Sequence, residues 1–511
     1  MISYCCGTFC GEGIVGHRRT RPSRKWRDEN HTHRTTLLIP RRPGLLQPNP
    51  LSRHPNRTPR STSTKAAAAE SATTHKTDVV IVGAGIIGLS IALSLLHATP
   101  TLKVTLVDTN EPCAIGSTGA GQGYLWMAHR TPSTPAWHLA SHSIALWDRY
   151  LHCPGGVLEH ADVEWQKTGS LLLGTSEEEG RQLEARAAAL TAQGGLRNVS
   201  FIDSAKHIQD LEPALFHGTS LSPPAVVLTA VYAADDVQIN GRKAAAVLLA
   251  ACRRFSDRFK DIFYDGVDRF IMNEQSLRIE GVVTSEGNRI VGSKGVVVAA
   301  GAWGGVLLGK QYPGVRNEWY RALVPRRGLL LEVINVPRGM PRIQRGLMEQ
   351  GYTKHYNTTG NTCDTTNTRE ITFTATTSAS NTLLLGSSRE FCGFDQSDDG
   401  VQSTADAILD HATRFIPHLS AIDRTKDVHI RFGPRPFSPT GYPIVGGIGP
   451  GVWVAAGHEG SGLTLGPATA ELITHMILEG DEGCGAEGNV GLSASTIQAI
   501  APPPSLVSCD L

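Results

Sequence analysis

One stretch limits the possible folds of this chain more than any other. A β-branched apolar run, Asp78–Val82, passes without a break into Gly83-Ala84-Gly85-Ile86-Ile87-Gly88. The run reads as a buried strand, and residues 88–97, with apolar side chains at helical spacing, read as the helix that follows. Val104–Asp108 reads as a second buried strand and completes a βαβ unit. In such a unit Gly83 permits a tight turn, Gly85 lets the backbone approach a pyrophosphate, and Gly88 lets the helix pack close to the strand. The helix N-terminus at Ile86 and Ile87 offers free N–H groups and partial positive charge to phosphates. Asp108 ends the second strand about 20 residues after the glycines, where a carboxylate can accept hydrogen bonds from ribose hydroxyls. Strand, glycines, helix, strand and acid in this order predict dinucleotide binding. The acid disfavours a 2′-phosphate and so disfavours NADP. The glycine pattern alone does not separate NAD from FAD.

Further along the chain, residues 137–215 read mainly as helix, including 177–193 with Leu183 and Leu190 on one face. A helix is expected at 241–251. Short alternating strands follow over 262–300 and end in the apolar run Gly295–Ala300. Residues 319–395 read as β-rich. The Thr/Asn/Ser-dense segment 357–381 alternates only at Ile371–Ala375 and reads as a long hairpin or loop excursion. A helix at 401–416, a strand at 452–455 and a helix at 466–478 close the pattern. Nucleotide-binding signals therefore recur near residues 80, 300 and 460 with β-rich material between them. The expected architecture is α/β, a Rossmann-like domain assembled from separated segments with an interleaved β-rich domain.

Charge is unevenly spread. Residues 1–70 hold 13 of the 48 Lys and Arg but 4 of the 47 Asp and Glu, which leaves the remainder near −8. A body that acidic is not built to neutralise phosphate backbones, so nucleic acid is not an expected partner. The Arg-, Ser/Thr- and Pro-rich, acid-poor segment 1–76 has the composition of a mitochondrial or chloroplast transit peptide. A basic tail without a targeting role has the same composition. The ten cysteines show no zinc-site spacing and suit a reducing compartment. No run approaches the apolar length of a membrane helix.

Three further segments carry a resemblance. They are Gly116-Ser117-Thr118-Gly119-Ala120-Gly121-Gln122-Gly123-Tyr124-Leu125; Val296–Trp303; and Arg435–Gly446 followed by Gly457-His458-Glu459-Gly460-Ser461-Gly462-Leu463-Thr464. Over about residues 77–480 the chain resembles the D-amino-acid oxidase/glycine oxidase superfamily of flavoproteins, with Thr440 where that family has Asp. The wording is similar to that of glycine oxidase-like and hydrogen-cyanide-synthase-like members and of plant and algal relatives. The resemblance implies FAD-binding parts at about 77–135, 225–310 and 430–480, substrate-domain parts at about 136–224 and 311–429, and a disordered tail at 481–511. It also implies FAD contacts from Ser117, Thr118, Gln122, Gly123, Tyr124, Val267, Ala300, Gly301, Trp303, Gly460, Ser461, Gly462, Leu463 and Thr464, besides the βαβ residues above. No Cys lies in 431–462 and no His in 116–125, so non-covalent FAD is expected.

In this superfamily a small amine or amino acid gives up hydride from the C–H beside nitrogen, and the imine then hydrolyses. Electrons pass to oxygen or another acceptor. The cofactor carries the hard step, so no catalytic triad is expected. Arg435 is the candidate substrate residue, because a guanidinium can hold a carboxylate with two parallel bonds; a structural ion pair is the alternative. Tyr352 and His355 are read as structural or exposed. Arg389 is read as site wall or as a partner of Glu390, and His458 as a loop-fixing hydrogen-bonder. Trp126 and Trp303 either shield the cofactor or pack in the core. Against an enzyme stands a flavin-containing organellar assembly factor, disfavoured by the intact Arg435 segment.

Overall fold

The computed structural model describes residues 73–152, 158, 160–194, 196, 198–216, 227–356, 369–394, 400–479 and 490–507. The expected targeting segment falls almost wholly outside them, as do the side chain of His355 and residues 357–368. Among the described residues no helix is long and apolar enough to cross a membrane.

Two eight-stranded sheets organise the described residues. In the first, strands Val452–Ala456, Arg289–Val298, Thr74–Val82, Val104–Val107 and Phe259–Ile262 run parallel in that spatial order. Ile444–Gly449 closes one edge antiparallel, and the hairpin Val267–Asn273/Arg278–Thr284 joins on Arg289–Val298. Parallel strands need cover on both faces, and the second half of Thr74–Val82 shows why residues 79–82 are continuously apolar. Val79 and Ile81 face the helices Ile86–Ala98, Gly241–Arg253 and Gly462–Glu479. Val80 and Val82 face the opposite layer, which includes Leu308, Tyr312 and Trp319. Three adjacent parallel strands come from residues 74–82, 289–298 and 452–456, which accounts for the three separated nucleotide signals.

The second sheet has the order Val428–Phe437, Val324–Val333, Leu383–Arg389, Glu370–Thr377, Gly346–Glu349, Ser170–Gly174, Thr229–Ala233, Val199–Ile202. Helix Val401–Thr413 packs on it through Ile408, Leu409 and Ala412. The expected hairpin within 357–381 is in fact formed by Glu370–Thr377 with Leu383–Arg389.

Three boundaries differ from expectation. Ser170–Gly174 and Val199–Ile202 are strands inside the stretch read as helical. Thr229–Ala233 and Val428–Phe437, expected with the nucleotide domain, lie in the second sheet, because their apolar faces pair with strands far away in sequence. The expected C-terminal tail is partly folded: Ser493 caps a helix, Ala494–Ile500, and Ile500 and Leu506 are buried. Its few apolar residues are too sparse to show a period, yet they complete existing cores.

Candidate active site

A cavity of about 470 Å³ runs along the C-terminal ends of the parallel strands and under the second sheet. In open parallel sheets this is where ligands bind. At one end stands the glycine turn. Gly83 has φ +111°, and an added Cβ would lie 2.3 Å from the Ala299 carbonyl oxygen; at Gly88 it would lie 1.9 Å from the Gly83 carbonyl oxygen. Both positions therefore exclude a side chain. Asp108 closes this end: its carboxylate accepts from the Ala84 N–H at 2.6 Å and the Asn110 N–H at 3.0 Å.

The cavity fits a dinucleotide on its own geometry. A Cβ at Gly85 would meet only the Thr118 hydroxyl, at 3.4 Å, and one at Gly116 or Gly301 would meet nothing within 4 Å. Bare backbone thus faces the open space at three points around the turn. The Thr118 hydroxyl accepts from the Ile86 N–H at 3.1 Å, tying the loop to the helix start. Gln122 is fixed between two strands of the second sheet, donating to the Leu384 carbonyl (2.9 Å) and accepting from the Thr374 hydroxyl (2.8 Å). Its neighbour Tyr124 stacks on Trp126 at 3.8 Å between ring centres.

Most of the residues named from the sequence share this wall: Gly83, Gly85, Ile86, Ile87, Asp108, Ser117, Thr118, Gln122, Gly123, Tyr124, Val267, Ala300, Gly301, Trp303, Gly460, Gly462, Leu463 and Arg435. Three others stand behind it. Gly88 packs against the turn. The Ser461 hydroxyl accepts from Arg130 Nη2 at 3.1 Å, and the Thr464 hydroxyl donates to the Tyr124 carbonyl at 3.0 Å. These last two hold the wall rather than form it, because their hydroxyls are engaged by Arg130 and the Tyr124 carbonyl. Trp126 is core, wedged against Gly346, where a Cβ would sit 1.7 Å from its ring. Trp303 lies at the wall and stacks on Phe394.

The far end of the cavity is charged. Arg435, on strand Val428–Phe437, lies across Gly328 of the neighbouring strand; a Cβ at Gly328 would fall 2.2 Å from the guanidinium carbon. Arg435 Nη1 donates to the Ser388 carbonyl at 2.8 Å. Tyr352, read as structural, lines the cavity, and the Arg389 guanidinium sits 4.2 Å from its ring centre. Arg389 is buried and does not pair with Glu390, because adjacent strand residues point to opposite faces. Glu390 instead takes Arg327 at 2.8 Å. His458 lines the cavity and shares a hydrogen bond with Thr469 at 2.9 Å; burial pushes its pKa down to about 3, so it stays neutral.

Glu459 was not singled out from the sequence, although an acid inside a glycine-rich loop is a visible signal. It lines the cavity beside Arg435 in a left-handed backbone conformation, φ +46°. One carboxylate oxygen lies 3.8 Å from both Arg326 Nη1 and Arg389 Nε; the other accepts from the Gly460 N–H. Burial pushes its pKa up, but Arg435, Arg389 and Arg326 outweigh that and hold it below the usual range.

The chain is similar to proteins of known kind. It is 26% identical over 409 residues to the glycine oxidase of Pseudomonas aeruginosa, covering 78% of this chain and 94% of that protein. It is 31% identical over 139 residues to the mitochondrial L-2-hydroxyglutarate dehydrogenase of Caenorhabditis briggsae, a match spanning 27% of this chain and only 30% of that protein's length. The glycine oxidase structure from Geobacillus kaustophilus shares the fold, with TM-score 0.63 and 22% identity over 86% of this chain and all of that one. The model of the DAO family, FAD-dependent oxidoreductases, matches residues 78–476, and to that family the chain belongs.

Proposed function

We propose that the protein oxidises the C–N bond of a small amino acid or secondary amine and passes the electrons to oxygen or another acceptor. The observation that carries this reading is Arg435, a planar carboxylate-binding group in the wall of the same cavity that the glycine turn and Asp108 close at the other end. FAD bound along that wall supplies an acceptor for hydride from the C–H beside the substrate nitrogen. The chain's own residues do the rest. Asp108 and the backbone at 83–88 hold the nucleotide end. Thr118 and Gln122 keep the loop 116–125 against both sheets. The start of helix Gly462–Glu479 presents partial positive charge to the cavity. Arg435 orients the substrate carboxylate, and the buried neutral His458 fixes its loop without moving a proton.

FAD is held without a covalent link in this reading. Cys113 does line the cavity, but burial pushes its thiol up to about 11, which makes it a poor nucleophile. Residues 1–72 deliver the protein to a mitochondrion or plastid, a reading supported by their composition. A fluorescent fusion of residues 1–76 that stays diffuse in the cytosol would oppose it.

The test of function is anaerobic mixing of the flavin-loaded protein with a panel of amino acids and N-methyl amino acids. Bleaching of the flavin absorbance by at least one of them is expected. Bleaching by hydroxy acids alone would overturn the amine reading.

A further inference from the structure

Asp108 and the glycine turn line the cavity, and so do two charged side chains of the C-terminal segment, Arg435 and Glu459. They have opposite sign. Arg435 is already anchored by the Ser388 carbonyl, which leaves most of its fork for a ligand. Glu459 differs from an ordinary ion-pair partner. One of its oxygens is buried and accepts no hydrogen bond from the described residues. The two nitrogens nearest it on Arg326 and Arg389 stand at 3.8 Å, beyond hydrogen-bond reach. A buried ionised oxygen without a donor is costly. Its backbone, fixed by the bond from its N–H to the Pro436 carbonyl (3.0 Å), holds a left-handed conformation that L-residues avoid. Strain of this kind at a cavity wall points to a placed side chain.

We infer that Glu459 receives the nitrogen of the substrate while Arg435 receives its carboxylate, so that the site takes α-amino acids as such and discriminates against hydroxy acids and simple carboxylates. This rests on the amine reading above and sharpens it to an α-amino acid held at both ends. The groups facing Glu459 are Arg326, Arg389 and Arg435, from three strands of the second sheet, with Glu370 pairing Arg326 at 3.1 Å. Those three arginines keep the carboxylate ionised, so Glu459 accepts an N–H from the free amine, whose extra proton is left to solvent before the hydride step. Arg326 is partly neutralised by Glu370 and Arg435 by the substrate carboxylate, which leaves the Glu459 carboxylate open to an N–H donor.

The experiment uses the oxidised, flavin-loaded protein under anaerobic conditions; it reads each amino acid by the concentration dependence of its bleaching rate and each non-reducing ligand by its perturbation of flavin absorbance. Each amino acid that bleaches the wild type is compared with its deaminated carboxylate and its hydroxy-acid counterpart, such as alanine with propionate and lactate. Glu459→Gln should weaken the amino acid by about 10- to 100-fold, the span expected for one charge-assisted hydrogen bond. The same variant should leave propionate-type ligands unchanged or tighter, because it removes a negative charge beside Arg435. A parallel loss for both ligand types, or unchanged amino-acid affinity, overturns the assignment. Should Glu459→Gln fail to hold flavin, Glu459→Asp is measured in its place. It keeps the charge but retracts it, and the same one-sided loss is expected. Loss of flavin from both variants makes Glu459 structural and also overturns the assignment. If amines bleach the flavin and Glu459 proves indifferent, only this inference falls. If hydroxy acids bleach it and amines do not, the function proposed above falls as well.

Discussion

Arg435→Ala is the most demanding perturbation, and the structure adds a partner variant that leaves the arginine in place. A hydrogen bond to a charged group contributes about 1.5–3 kcal/mol, and each 1.4 kcal/mol is roughly a factor of ten. Removing the guanidinium should therefore lower kcat/KM for a carboxylate-bearing substrate by about 10- to 100-fold. Arg435→Lys should not fully restore it, since an ammonium lacks the planar fork. Gly328 offers the second perturbation. A methyl group there would lie 2.2 Å from the guanidinium carbon, so the side chain must swing away. Gly328→Ala should thus reproduce much of the Arg435→Ala loss without altering any charge. Steady-state kinetics on a substrate from the bleaching panel, with flavin content and melting temperature measured alongside, decides the matter. Both variants should keep their flavin. Full kcat/KM in Arg435→Ala would refute the clamp; lost flavin with residual activity that tracks folded protein would make Arg435 structural.

Three other outcomes are expected. Acid or heat denaturation should release FAD into the supernatant; yellow colour that stays with the pellet would show a covalent link. A chain beginning at Thr73 should fold and hold flavin like the full protein, whereas one beginning at Asp78 should melt lower. The latter loses the bond from the Arg289 N–H to the Thr73 carbonyl (2.8 Å) and the pairing of Thr74–Thr77 with Arg289–Gly292; equal melting temperatures would contradict this. Glu212 is fully buried and accepts from the Gln344 and Arg345 N–H groups, and burial raises its pKa to about 7. A raised folded pKa means that its stabilising effect is present below the unfolded value, near 4.5, and is lost as pH rises through 7. Glu212→Gln should therefore melt about 2–4 °C higher than wild type at pH 8, with the gap closing by pH 5. A gap that does not change with pH would refute it.

What the sequence determined by itself is local. Strand, turn and helix at 78–97 follow from apolar period and from glycines that no side chain can replace, and the acid at Asp108 follows from the length of one βαβ unit. The loop 116–125, Arg435 and the residues at 460–463 were legible as short motifs whose order along the chain is preserved in the wall of one cavity. Only the tertiary structure decided what faces what. Thr229–Ala233 and Val428–Phe437 join the second sheet because of strands a hundred or more residues away in some pairings, which no local period records. Arg389 turns toward Tyr352 and Glu390 toward Arg327 because the pleat sends neighbours to opposite faces, and the sequence does not say which face is inward. Residues 490–507 look patternless alone, yet Ile500 and Leu506 complete cores built by others. Glu459 is one acid in a glycine loop until three arginines from three separate strands close around it, and its charge state is a property of that assembly. Periodicity reports how a segment can lie on a surface; the surface itself is made by the rest of the chain.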